Sequence, residues 1–185
     1  MPLLHKDDDI VEILRDRSFI SMFLVETWHD GDSVCIRRLR QLGYNVADRP
    51  RNRGSTNAMS TNHGGVAVVS VPFVHHKIIQ IDLEIKTLEF ICVRLSCGSF
   101  SAVVLLIYRT GPISSSFFNE LSRIICSLAT FSDPFIVVGD LNIHLERHDN
   151  PHTREFFDLM SSHGLFSRIN CPTHNLGGSL EVLFT

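Results

Sequence analysis

Asp140 and Asn142 stand two residues apart where the apolar run Phe135-Ile136-Val137-Val138 gives way to Gly139-Asp140-Leu141-Asn142. The run has strand length, β-branched residues and Asp133-Pro134 ahead of it, and so reads as a buried strand. Strand side chains alternate, so the acid and the amide are expected to project the same way and to form a polar site. Two other apolar stretches end alike: Ile20 to Val25 in Glu26-Thr27-Trp28, and Ala102 to Ile107 in Tyr108-Arg109. If the three strands lie side by side with like ends together, Glu26, Tyr108 and the Asp-x-Asn pair converge on one pocket. Strand ends are where layered α/β folds bind their ligands.

The elements that must hold these ends follow from periodicity. Asp7 to Asp16 places Ile10, Val11, Ile13 and Leu14 at helical spacing behind acids in the first turn. Asp32 to Leu42 reads as a second helix stopped by Gly43, and Pro50 to His63 as an exposed polar loop. Gly64-Gly65 opens a strand through Val71. Ile78 to Ile85, Leu88 to Leu95 and Ser101 to Tyr108 are expected as successive strands, with His75-His76 exposed between two of them. Ser114 to Ala129 and His152 to His163 read as helices, and Leu180 to Phe184 as a last apolar segment. Hairpins mixed with strand-helix alternation exclude a purely parallel sheet. The expected fold is an α/β four-layer sandwich, two packed mixed β-sheets flanked by helices.

Composition agrees with a globular chain: 185 residues with 44% hydrophobic and 20% charged, enough for one domain over residues 1–185. No apolar run approaches the roughly 18 to 20 residues needed to span a bilayer, and the first residues lack the pattern of a secretory signal. Five cysteines with no Cys-x-x-Cys spacing suit free thiols in a reducing compartment, so an intracellular setting is expected. A formal net charge of −3 does not by itself advertise nucleic acid. The basic clusters Arg37-Arg38-x-Arg40 and Arg49-x-Arg51-x-Arg53 read as a solvated helix face and a solvated loop, with phosphate contact as the alternative. Trp28 could stack on a base or pack at the strand end. His144, His148 and His152 are four apart, yet Asn150-Pro151 breaks a helix there, so no metal stripe is expected. Gly64-Gly65 precedes a strand and is no phosphate cradle. The absence of a Gly-x-x-x-x-Gly-Lys-Ser/Thr motif excludes a P-loop nucleotidase.

In order, Val25-Glu26-Thr27-Trp28, His63-Gly64-Gly65-Val66-Ala67, Ile107-Tyr108-Arg109, Val138-Gly139-Asp140-Leu141-Asn142-Ile143-His144 and Pro172-Thr173-His174-x-x-Gly177 form one series. It resembles the endonuclease/exonuclease/phosphatase superfamily with its DNase I-like fold. More narrowly it is similar to the endonuclease domain of non-LTR (LINE-type) retrotransposons. The resemblance covers nearly the whole chain and implies Mg2+-dependent phosphodiester hydrolysis, with Mn2+ as a substitute. It implies DNA as partner, a reverse transcriptase domain in the same parent gene, no membrane, and action in the nucleus. By the same resemblance Glu26 ligates the metal and Asp140 activates the attacking water. Asn142 and Tyr108 contact the phosphate, as does Thr173 more loosely.

The resemblance also implies departures. The family begins with a strand carrying a metal-side asparagine and ends with a Ser-Asp-His element, and neither is found in residues 1–185. The expected domain is therefore incomplete at both ends. In Leu180-Glu181-Val182-Leu183-Phe184-Thr185, Glu181 occupies a position where the family has an aspartate that holds the catalytic histidine, making it a degenerate position. Three functions follow as expectations: a DNA endonuclease that nicks target DNA for reverse transcription, an abasic-site nuclease or phosphatase of the same superfamily, and a catalytically inactive fragment.

Overall fold

Ser33, Ser114 and Asn150 begin three of the four helices found among the described residues in the same way. Each side-chain oxygen accepts a backbone N–H from the first turn, at 3.4 Å from Ile36, 3.3 Å from Phe117 and 2.9 Å from His152. These caps satisfy donors that a helix start leaves without partners. In the computed structural model, which describes residues 3, 6–51, 64–109, 111–169 and 180–185, the helices are α1 (Asp7–Asp16), α2 (Val34–Gln41), α3 (Ser115–Leu128) and α4 (Pro151–Ser162). Helix α1 lacks a side-chain cap; Asp7, Asp8 and Asp9 in its first turn and Arg15 in its last complement its dipole instead. Pro151 does not interrupt a helix but starts one, at a position where its missing N–H is not needed. His144 and His148 precede α4, so the three histidines share no helix face.

The strands are β1 (Ser21–Val25), β2 (Asn45–Arg49), β3 (Val66–Ser70), β4 (His75–Ile78), β5 (Leu88–Cys97), β6 (Phe100–Arg109), β7 (Phe135–Asp140) and β8 (Glu181–Phe184). They form a three-stranded sheet of order β1-β3-β2 and a five-stranded sheet of order β4-β5-β6-β7-β8. Both pairings in the smaller sheet are antiparallel. The larger is mixed: β6 and β7 run parallel, and the other pairs antiparallel. Helix α3 supplies the crossover that a parallel pair requires.

Alternation along each strand assigns residues to layers. In β6, Val103, Leu105 and Ile107 face α3 and α4, whose Phe117, Leu121, Ile124, Phe156 and Met160 cover them. Val104, Leu106 and Tyr108 face the other way, onto Val66 and Val68 of β3 and Phe23 and Val25 of β1. The far side of the small sheet, with Leu24, Ala67 and Val69, lies under Ile10 and Leu14 of α1 and Ile36 and Leu39 of α2. The layers are thus helices, sheet, sheet, helices: the four-layer α/β sandwich. No helix among the described residues is long and apolar enough to cross a membrane.

Two expectations are corrected. Residues 78–85 are not a strand: β4 ends at Ile78, and the alternating Ile79, Ile81, Leu83 and Ile85 pack on the α3/α4 core without a ladder. The period-2 pattern was therefore a true record of one-sided burial, but Glu120 of α3 takes the backbone N–H groups of Lys86 and Thr87, at 3.1 and 2.9 Å. His75-His76 does not connect two strands but lies in β4: His75 is exposed as expected, and half-buried His76 has its Nε2 2.7 Å from Ser70 Oγ. Most of the 50–63 loop, Arg53 included, and the Thr173 segment lie outside the described residues.

Candidate active site

A transverse row of polar side chains crosses four strands at one end of the large sheet. Glu89 of β5 pairs in register with Tyr108 of β6, Tyr108 with Asp140 of β7, and Asp140 with Glu181 of β8. Parity places all four on the face toward the small sheet. Ile91 and Val93 share that face with Glu89, and Ile136 and Val138 share it with Asp140. Val182 and Phe184, the neighbours of Glu181 in alternation, face the α3/α4 core instead. The row is where the apolar filling between the sheets stops.

Glu26 reaches this row from the other sheet. In β1, Leu24 faces α1 and α2, so simple alternation would send Glu26 after it. The strand ends at Val25, however, and Glu26 takes φ +52°, a left-handed conformation that re-aims the chain. Its Oε1 accepts the hydroxyl proton of Tyr108. The convergence expected from three strand ends is present, but across two facing sheets and not along one. Non-glycine residues with positive φ among the described ones are Ser18, Glu26, Trp28 and Asn142; Glu26 and Asn142 belong to the site, and Trp28 lies in the turn that follows Glu26. Such conformations cost of order 1–3 kcal/mol each and persist where surrounding structure enforces them.

The enforcing contacts are visible. Thr27 is fully buried; its N–H donates to Gly65 O at 3.2 Å, and Trp28 N–H donates to Gly64 O at 2.8 Å. Thr27 Oγ1 lies 2.5 Å from His29 Nδ1, and His29 Nε2 lies 3.2 Å from Asp48 Oδ2. Arg40 closes the chain on Asp48 Oδ1. Burial acts to raise the Asp48 carboxyl, but the bonds from His29 and Arg40 outweigh it and hold the group below its ordinary value. A depressed acid stabilises the fold fully above its unfolded pKa, and that stabilisation is lost as pH falls through the lower folded value. Asp48→Asn is therefore expected to cost about 1–3 kcal/mol at pH 7, the scale for a buried charged hydrogen bond. Urea midpoints of the two proteins should converge below pH 4, and a gap that persists unchanged in acid would contradict this.

On the β7 side, the strand stops at Asp140, and Asn142 sits at φ +51°, a conformation asparagine tolerates. Asp140 and Asn142 are thus joined not by strand alternation but by an Asx turn: Asn142 N–H donates to Asp140 Oδ1 at 2.8 Å. Arg109, nearly buried, donates to the carbonyls of Leu141 and Gly111 and, at 2.8 Å, to that of Asn142. One guanidinium thereby fixes the whole Asp-Leu-Asn turn, a positioning role absent from the sequence reading. Asn142 Nδ2 reaches Arg109 O at 3.5 Å.

Burial pushes the Asp140 carboxyl up; Asn142 N–H draws it down, while the charges of Glu181 and Glu26 push it further up and Arg109 opposes them. Burial also raises Tyr108 strongly, aided by its bond to Glu26 and the charges of Glu26 and Asp140, with Arg51 opposing. Tyr108 therefore stays a hydroxyl donor at neutral pH. Among the described residues no group of three or more His, Cys, Asp or Glu side chains is placed to hold a metal ion. The donor chemistry nonetheless fits a hard divalent cation. Mg2+ is commonly held by one or two carboxylates plus water, and Glu26 and Asp140 are carboxylates whose charges oppose each other. Glu181 is exposed and sits beside Asp140; Thr173 lies outside the described residues.

Glu89 was missed. Glu89 accepts Gly65 N–H at 2.7 Å on one oxygen and Arg51 Nε on the other. The available signal was a lone acid in Leu88-Glu89-Phe90-Ile91 at a position that alternation assigns to the inter-sheet face. Arg49 and Arg51 are likewise not simply solvated: Arg49 lies over the Phe90 ring, 5.0 Å from its centroid.

The family model for the endonuclease/exonuclease/phosphatase family matches residues 3–184. Among curated proteins, none matches the chain. Among solved structures, the human Nocturnin catalytic domain with bound sulfate aligns with a TM-score of 0.69 at 17% identity, covering 97% of this chain and 73% of that one. An AP endonuclease from Archaeoglobus fulgidus aligns at 0.67 and 14% identity, with 99% and 82% covered. The endonuclease domain of TRAS1, a telomere-specific non-LTR retrotransposon, aligns at 0.65 and 15% identity, with 98% and 78% covered. At these identities the likeness is one of fold.

Proposed function

The chain belongs to the endonuclease/exonuclease/phosphatase family, and from that premise we propose that it is a divalent-metal-dependent phosphodiesterase. Its substrate is DNA, which it nicks as the endonuclease of a non-LTR retrotransposon whose parent gene also encodes a reverse transcriptase. The observation that carries the reading is the meeting of Glu26, Tyr108 and Asp140 from two facing sheets at the open end of the inter-sheet layer.

The geometry supports the following roles. Glu26, oriented by Tyr108, is the carboxylate that would hold the cation, which when bound supplies positive charge to a phosphate oxygen. Asp140, with one oxygen fixed by Asn142 N–H, presents the other to a water and takes its proton as the water attacks. The single Tyr108 hydroxyl proton, held by Glu26 Oε1 in the free protein, would turn to a non-bridging oxygen, and with the Asn142 amide donate there as charge builds. Arg109 touches no substrate and keeps Asn142 in place.

The test is relaxation of supercoiled plasmid in Mg2+, with EDTA as the blank. Open circles that EDTA abolishes are the expected product. Tyr108→Phe removes one donor to the developing charge and should reduce the nicking rate by about 10²-fold, the scale seen for single oxyanion donors. Abasic duplexes and phosphomonoesters run in parallel separate the other family activities. Preferential turnover of either would displace the retrotransposon reading, and no turnover of any substrate would leave an inactive member.

A further inference from the structure

Beside the row, on the Glu89 side, a cleft of about 450 Å³ opens between the end of β2 and the 83–90 segment, within the range of ligand pockets. Arg49, Arg51 and Lys86 line it, with Glu89 the one acid among its described residues. This cationic lining contrasts with the row itself, where Glu89, Asp140 and Glu181, with Glu26 opposite, supply only negative charge.

The two arginines are anchored. Arg51 Nε is held by Glu89, and the same carboxylate takes Gly65 N–H, so its negative charge is already engaged by two donors. Arg49 lies over Phe90 and donates to Phe90 O at 3.2 Å. Arg51 is bonded through Nε and Arg49 through Nη1, and a guanidinium carries five N–H donors, so each has donors beyond the one that anchors it with which to meet phosphate oxygens. Anchoring also lowers the ordering entropy that a flexible arginine gives up on binding. Lys86 is more loosely placed, exposed and 2.9 Å from Glu84.

Register fixes the distance from the chemistry. Glu89 is the direct partner of Tyr108, so the backbone of this cleft residue lies one strand spacing, roughly 5 Å, from that of Tyr108. Arg51 is close enough for its charge to act on that phenol. An anion in the cleft and one at Tyr108 are therefore separated by about the reach of a single nucleotide.

We propose that the Arg49–Arg51–Lys86 cleft is a phosphate-binding subsite, which takes the backbone phosphate next to the one cleaved and so aligns the DNA strand across the row. This rests on the nuclease reading above. In this subsite Arg51 is the principal contact and Glu89 a positioning residue that acts through it.

The experiment is equilibrium binding of duplex oligonucleotides to the full chain carrying Asp140→Asn, so that binding is read without cleavage. A set of duplexes each carries one neutral methylphosphonate, walked along the strand. Arg51→Ala is expected to weaken binding to the unmodified duplex about tenfold and to reduce the salt slope by about one. At one methylphosphonate position the unmutated Arg51 protein should lose a similar factor while Arg51→Ala loses nothing further. Lys86→Ala, at an exposed residue that leaves the fold intact, should also lower the slope, and Glu89→Gln should weaken binding less than Arg51→Ala. Additive losses at every modified position, or an unchanged salt slope in both variants, would overturn the subsite while leaving the nuclease reading standing. Failure of the Asp140→Asn protein to bind any duplex would overturn both.

Discussion

Asp140→Asn is expected to abolish nicking and, in EDTA, to raise the melting temperature. The two effects have one cause. Asp140 is pushed up by burial and by Glu181 and Glu26, so at neutral pH the folded chain holds a charge that its surroundings disfavour. For an acid whose folded pKa exceeds its unfolded value, stability falls as pH rises from the unfolded value to the raised one, and stays reduced above it. Asparagine removes the charge but retains Oδ1, which keeps accepting Asn142 N–H, so the Asx turn survives. The gain should be roughly 2–4 °C, the shift that about 1 kcal/mol produces in a domain of this size. It should vanish below about pH 4, where the parent carboxyl is protonated in both states. Excess Mg2+ should narrow the gap, because the parent protein gains more from a cation that binds only the folded state. The rate should fall by about 10²–10⁴, the contribution of a positioned general base. Lower stability of Asp140→Asn in EDTA would show that the carboxylate is a structural partner and not a group held ready for chemistry. Retained nicking would remove it from the mechanism.

Much of this site was legible because it is written in strand ends. Val25-Glu26, Ile107-Tyr108 and Gly139-Asp140 each put a polar residue directly after a buried run, and all three meet. The helices were legible for a similar reason: α1 runs from Asp7 to Asp16 as its apolar spacing and first-turn acids require. What stayed hidden depends on distant partners. Period-2 alternation sends Glu26 toward α1 and α2, and only the left-handed turn held by Thr27, His29 and Asp48 brings it to Tyr108. Ile79 to Ile85 alternates like a strand yet has no ladder, because α3 supplies Glu120 to its backbone end. Arg109 and Glu89 read as ordinary strand residues until register sets one against the Asp-Leu-Asn turn and the other against Tyr108. Alternation tells which face a residue takes, but not what stands opposite it.

Gly139→Ala should disable the protein more thoroughly than any change to a charged residue. Gly139 pairs with Ile107 in the parallel ladder at φ +150°, and a Cβ there would overlap the Ile107 carbonyl oxygen and lie 2.8 Å from its carbonyl carbon. Both atoms are backbone, so no side chain can swing aside; β7 would have to leave β6. That separation falls one residue before the Tyr108–Asp140 pair, and the chemical groups would part with the strands. The expected destabilisation exceeds about 4 kcal/mol, the range reserved for overpacking and forced backbone strain, which is a drop of roughly 8–16 °C at this size. Gly98→Ala is the matched control: Gly98 also has positive φ, at +58°, but its Cβ would meet nothing within 4 Å. It should lose only about 1 kcal/mol, the conformational penalty alone. Thermal melts of the pair then separate the two causes. Equal losses would mean that conformation and not contact decides at Gly139. A far larger loss at Gly139, with nicking gone even in the folded fraction, would show that the close approach of two parallel strands is what sets Asp140 beside Tyr108.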